Sequence, residues 1–144
     1  MKDLEFLQQL NFPFSIKQNV LWGEMDAFGH INNVVYFRYF ESGRVHFFNE
    51  TALWQTFLDE QVRIVVVKLE CNYIQEIIFP EEIEILVAIK EVGNSSIKVH
   101  QVVKSSTKNI IFAHGEGIIV GTDPNTGKSK PWSEKLKNKL NQWK

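Results

Sequence analysis

Asn32-Asn33-Val34-Val35-Tyr36-Phe37-Arg38-Tyr39-Phe40-Glu41-Ser42-Gly43-Arg44-Val45-His46-Phe47-Phe48-Asn49 is the stretch on which the architecture turns. Tyr36, Phe40, Gly43 and Phe47 fall on one face of a helix. Val34, Val35, Phe37, Val45 and Phe48 widen the apolar surface, so the helix is expected to be buried on more than one side. Asn32 and Asn33 offer N-cap chemistry. Arg38, Glu41 and Arg44 sit three apart and are expected to pair along the remaining face. Gly43 in mid-helix costs about 1 kcal/mol relative to Ala. Close approach of another backbone is the expected compensation.

Outward from this helix the period changes. Thr51 to Gln61 reads as a short helix or turn. Beyond it Val65, Val67, Leu69, Cys71 and Tyr73 alternate with Val66, Lys68, Glu70 and Asn72. Segments around Ile83–Lys90 and Ile97–Lys104 alternate in the same way, and Ile110–Val120 is mostly apolar. These are four strands, each expected to have one core-facing side. The short joints Pro80-Glu81, Gly93-Asn94 and Thr107-Lys108-Asn109 favour antiparallel hairpins and a meander. Upstream, Ser15 to Trp22 reads as a strand and Gly23 to Asn32 as a polar loop. Residues 3–13 read as an amphipathic arm, with Asp3 as cap, Leu4, Leu7 and Leu10 at helical spacing, and Pro13 as stop. Gly121–Pro131 is a loop, and a last helix begins near Ser133 with Leu136, Leu140 and Trp143 on one face. The expectation is one α+β domain over 1–144, with its core at about 14–122 and a C-terminal helix at about 133–143. A five-stranded antiparallel sheet wrapped around the long helix satisfies the apolar faces.

Composition narrows the function classes. The 144 residues carry 16 basic and 17 acidic side chains. That balance lacks the basic excess of a nucleic-acid binder. Cys71 is the one cysteine, so no intrachain disulfide forms, which fits a reducing, cytoplasmic setting. The N-terminal residues carry two acids without a long apolar run, unlike a signal peptide. No stretch approaches the roughly 20 apolar residues of a membrane span, so no membrane partner is expected. Eleven Phe, four Trp and three Tyr suit a dense core or an apolar ligand pocket.

Asp26-Ala27-Phe28-Gly29-His30-Ile31-Asn32-Asn33, followed by Tyr36 and Phe40-Glu41-Ser42-Gly43-Arg44, resembles the signature of 4-hydroxybenzoyl-CoA thioesterase-like proteins. The resemblance covers roughly residues 14–122. It implies the hotdog fold, hydrolysis of an acyl-CoA, no cofactor, and a homo-oligomer (dimer or homotetramer) with sites at subunit interfaces. It matches Asp26 to the catalytic Asp, and Gly29 to the glycine that lets the loop pass close to the thioester. Asn33 falls near the helix start whose N–H groups polarise the carbonyl. Glu24-Met25-Asp26 departs from the usual Asp-x-Asp, which leaves the role of Glu24 open. Gly43 replaces the more usual Ala.

The chemistry agrees with these residue types. Thioester hydrolysis needs a nucleophile or base and a group to hold the developing oxyanion. Asp26 precedes a helix N-terminus, which offers unpaired N–H donors. Its plainer reading is a turn-capping Asp. His30, Tyr36 and Glu41 are candidate substrate contacts. The plainer readings are a loop-fixing His, a core Tyr, and a Glu paired along the helix. Ser96, after the Gly93-Asn94 turn, is a candidate substrate contact beside the nucleotide. Lys90, Lys98, Lys128 and Lys130 are candidates for CoA phosphates, against the plainer reading of solvated lysines. His30, His46, His100 and His114 lack close metal-ligand spacing, and no nucleophile-elbow sequence is present. The competing class is a non-catalytic hotdog protein that binds a fatty or aromatic ligand. A hotdog dehydratase lacks an evident His/Asp arrangement here.

Overall fold

The face formed by Tyr36, Phe40, Gly43 and Phe47 is buried along helix α1, Val35–Glu50. The computed structural model describes Glu5, Leu7 and residues 11–144. The remaining elements are β1 (Phe14–Asn19), α2 (Leu53–Asp59), β2 (Arg63–Leu69), β3 (Asn72–Tyr73), β4 (Glu82–Val92), β5 (Ser96–Ser105), β6 (Ile111–Thr122) and α3 (Glu134–Asn141). The strands form one antiparallel sheet in the order β1-β4-β5-β6-β2, and the short β3 also pairs with β6. The predicted amphipathic arm falls largely outside the described residues, although Leu7 is buried.

Inward side chains of β4 and β5 meet α1. Ile83, Ile85, Val87, Val99 and Val103 are fully buried there. One part of the core joins Phe47 and Phe48 to Phe57, Trp132, Leu136 and Leu140. The other gathers Val20, Ile31, Tyr36, Tyr39, Phe40 and Ile77 around the start of α1. Helix α3 begins where expected, because the Ser133 Oγ accepts from the Leu136 N–H at 3.1 Å.

Several expectations need correction. The meander holds for β4-β5-β6, but β2 lies beside β6 at the sheet edge and not beside β4. Strand β2 has no fully buried side. Val65, Val66, Val67 and Leu69 are all exposed in the single chain, because only β6 flanks them. The predicted run to Tyr73 is interrupted after Leu69, and its register resumes with Asn72 opposite His114. Of the residues expected to widen the apolar surface of α1, Phe48 is buried, whereas Val45 is 53% exposed, as is Val34 just before the helix at 66%. Arg44 does not join a surface ladder with Arg38 and Glu41. It is buried, and its Nη1 donates to the Gln101 Oε1 at 3.1 Å. Gln101 in turn donates to the Phe40 carbonyl at 2.7 Å.

Gly43 is compensated by side chains of the sheet, not by another backbone. A Cβ there would lie 2.6 Å from the Ile85 Cγ2 and 3.0 Å from the Gln101 Nε2. Ile85 is fully buried in the core. Gly43→Ala is therefore expected to destabilise the protein by about 1–3 kcal/mol through overpacking. Set against the helix-propensity gain of about 1 kcal/mol, the net expectation is a loss of up to about 2 kcal/mol. Urea unfolding measures it, and a net gain in stability would contradict this packing.

Candidate active site

The loop between β1 and α1 is fixed by its own backbone. The Asp26 N–H donates to the His30 carbonyl at 3.0 Å, and the Gly29 N–H to the Asp26 carbonyl at 3.2 Å. Gly29 turns the chain at φ +86°, a region glycine adopts without Cβ strain. The Asp26 Oδ1 accepts from the Phe28 N–H at 2.9 Å. Asp26 therefore caps a turn with one carboxylate oxygen, and among the described residues no protein donor engages Oδ2. The loop is pinned to the body by the Ile31 N–H, which donates to the Ile77 carbonyl at 2.8 Å.

Helix α1 starts beside this turn. The Asn32 Oδ1 accepts from the Val34 N–H at 2.9 Å, and the Asn32 carbonyl from the Val35 N–H at 2.9 Å. Those two helix-start donors are thus used internally. Asn33 is exposed, and its carbonyl is held by the Tyr73 O–H at 2.7 Å. Its own N–H and side-chain amide have no protein partner among the described residues. The donors left open at the helix start therefore include those of Asn33.

Asp26, His30, Asn33 and Tyr36 line one open pocket of about 530 Å³, together with Phe28, Ile31 and the segment Tyr73–Glu76. Gly29 belongs to the same turn. The His30 ring stacks beside Phe28, and its Nε2 lies 3.5 Å from the Glu76 Oε1. Tyr36 is a buried wall, edge-on to Tyr73 with ring centroids 5.0 Å apart. Burial pushes its hydroxyl pKa up to about 12, against a smaller opposing effect of the Ile77 backbone.

Two predicted contacts lie elsewhere in the single chain. Glu41 lines a separate groove of about 420 Å³ with Arg44, Val45 and Trp54. Ser96 is at the far end of β5: Tyr73 pairs with Ala113, Ala113 pairs with Val103, and Ser96 lies further along that strand. At a strand rise of about 3.4 Å per residue the separation from Val103 is about 24 Å. The lysines proposed for CoA are mostly engaged. Lys130 donates to the Glu60 and Gln61 carbonyls, Lys90 pairs with Glu116, and Lys98 approaches Glu91 and Glu116. Lys128 lies exposed in the 121–131 loop. Among the described residues no cluster of three or more His, Cys, Asp or Glu side chains suits a metal. No helix among them is long and apolar enough to cross a membrane. Sequence reasoning missed Tyr73, Gln75 and Glu76. No local pattern singles them out, because the β3–β6 pairing brings them to the pocket.

The Thioesterase-like superfamily model matches residues 20–140. The chain belongs to the thioesterase-like superfamily. YsmA of Bacillus subtilis (strain 168) is 30% identical over 139 residues, 96% of this chain and 92% of YsmA. YbaW, a probable thioesterase from Escherichia coli, superposes with a TM-score of 0.82 at 21% identity, covering 90% of this chain and 97% of YbaW. Slr0204, a 1,4-dihydroxy-2-naphthoyl-CoA thioesterase from Synechocystis, gives 0.78 at 9% identity over 88% and 94% of the two chains. These structural likenesses establish the fold, a hotdog sheet around its central helix, as the sequence motif implies.

Gly29 supplies a direct check on the loop. A Cβ there meets nothing within 4 Å, so any cost is conformational. Gly29→Ala is expected to cost about 1–2 kcal/mol. Gly29→Asn should cost less, because Asn tolerates positive φ. Equal costs in chemical denaturation would show that the turn does not keep its left-handed backbone.

Proposed function

We propose that this protein hydrolyses an acyl-CoA to the free acid and CoA, with Asp26 as the catalytic carboxylate. The observation that carries the reading is the pairing of functions in one pocket. Asp26 has one oxygen tied to the Phe28 N–H, and Asn33 across the turn has uncommitted N–H donors. The tied oxygen orients the carboxylate and leaves the second oxygen open to the substrate. The Asn33 N–H groups donate to the thioester carbonyl oxygen as it gains negative charge. The carboxylate attacks the carbonyl directly, or draws a proton from an attacking water. In direct attack the C–S bond breaks, the thiolate takes a proton from solvent, and water then hydrolyses the mixed anhydride on Asp26 to the free acid. With water as nucleophile, the proton drawn by Asp26 passes to the departing sulfur as the C–S bond breaks. Superfamily membership supports thioester chemistry of this general kind.

Thiol release from short, long and aromatic acyl-CoAs tests the reading. Asp26→Asn should lower kcat by about 10²–10⁴-fold while remaining folded. Equal rates in wild type and Asp26→Asn would remove Asp26 from the chemistry. Absence of thiol release from every substrate would leave a ligand-binding hotdog protein as the better account.

The working form proposed here is a homo-oligomer. Strand β2 leaves one edge unpaired among the described residues and exposes Val65, Val66, Val67 and Leu69. Open apolar edges are association sites unless they are covered. Pairing β2 with β2 of a second copy covers this one. Sedimentation should give a dimer or larger, shifted towards monomer by Val67→Pro, and a wild-type monomer at micromolar concentration would contradict it.

A further inference from the structure

We propose that Glu24 is a positioning residue that clamps the Asp26 loop to helix α1 through Tyr39, and takes no part in proton transfer. The inference rests on the reading of Asp26 as the catalytic carboxylate. Asp26 lines the pocket, whereas Glu24 is not among its lining residues. Three separate pieces of the chain instead meet at Glu24. Its Oε1 accepts from the Leu21 N–H at 2.7 Å, just beyond the end of β1. The same oxygen accepts from the Tyr39 O–H at 2.9 Å, on the second turn of α1. Its carbonyl accepts from the Asn32 N–H at 3.0 Å, at the far end of the loop. The loop that carries Asp26 is thus closed at both ends on one residue.

Tyr39 is a fixed anchor. It is 1% exposed and packed in the core beside Tyr36 and Phe40. Burial, and after it the bond to Glu24, push its hydroxyl far above the ordinary tyrosine range, so it stays a donor. A hydroxyl held this firmly transmits the position of α1 to the loop. The distance from Asp26 to the Asn33 donors is then set by the helix that carries both Tyr39 and the Asn33 end. The length of the side chain matters as well. Aspartate at position 24 would be shorter by one C–C bond, about 1.5 Å, and could not hold both donors without moving the loop. This gives a physical reason for Glu in the Glu24-Met25-Asp26 string.

The acceptor geometry makes a sharp test. Both donors use one oxygen, and the amide oxygen of glutamine offers the same two lone pairs. Glu24→Gln should therefore keep the wild-type pH–rate profile, with kcat within about threefold of wild type, since positioning is retained. Glu24→Ala should lower kcat by about tenfold or more with little change in KM. It should also speed amide hydrogen exchange at Asp26 and Asn32 by about tenfold or more. Tyr39→Phe should act in the same direction, and the double variant should be no worse than Glu24→Ala alone. Loss of activity or a changed pH profile in Glu24→Gln would make Glu24 an acid or base and overturn the proposal. Additive effects of Glu24→Ala and Tyr39→Phe, or unchanged exchange in both, would overturn it too. Should Glu24→Ala fail to fold, Glu24→Gln and Tyr39→Phe decide. Should wild type release no thiol from any substrate, the acyl-CoA reading fails, and the exchange rates alone still decide whether the clamp exists.

Discussion

Helix α1 approaches the sheet closely at Gly43, and much of the molecule follows from that approach. With no side chain there, the helix settles onto Ile85, Val87 and Gln101. Gln101 then reaches a helix carbonyl at Phe40 and accepts from Arg44, so one amide serves two buried polar groups. No buried side-chain N or O atom among the described residues lacks a partner. Polar groups in such a place are costly when unpaired, and well paired they fix a single seating of helix on sheet. That seating sets where the first turn of α1 emerges.

From there the geometry passes outward. Tyr36 and Tyr39 sit in the core near the start of α1, and Asn33 lies just before it at the surface. The preceding loop is held against the same end by backbone bonds to Ile77 and by the contacts of Glu24. Asp26 is carried on a turn whose own bonds are short-range, while the turn as a whole is placed by long-range ones. A rigid body supporting a loop that carries function is the common arrangement in enzymes.

Periodicity made the long helix, the β4-β5-β6 meander and the last helix legible, because each buries one face against a neighbour. The N-cap expected at Asn32 or Asn33 falls instead at Val34, without a side-chain cap bond, and Asn32 forms a local turn by accepting from the Val34 N–H. Strand order was not legible. Nothing in Arg63–Leu69 says that its partner is β6, and its alternation promises a buried face that a single chain does not provide. Arg44 misled because the i, i+3 spacing to Glu41 is a surface rule, whereas the side chain is drawn inward by Gln101, 57 residues away. The site divides along the same line. Asp26, His30, Asn33 and Tyr36 come from one continuous string and line one pocket, with Gly29 in the same turn. Tyr73 and Glu76 reach the pocket only through sheet pairing. Tyr39 lies at i+3 from Tyr36 on the same buried face, but the spacing does not tell that its hydroxyl meets Glu24.

The placement of β2 outside β6 also bears on how the chain acquires its shape during synthesis. Arg63 and its partner Thr122 lie 59 residues apart, and β1 must wait for β4. Synthesis therefore completes the central helix and an apolar strand well before either has a sheet to join. The first strands able to pair with near neighbours are β4 and β5. The meander is then the template on which the earlier segments assemble in reverse, and the helix is enclosed after the fact. Such late, long-range closure is slow. It leaves the apolar β2 without a partner until β6 is made, so the nascent chain carries an open strand in need of shielding over that interval.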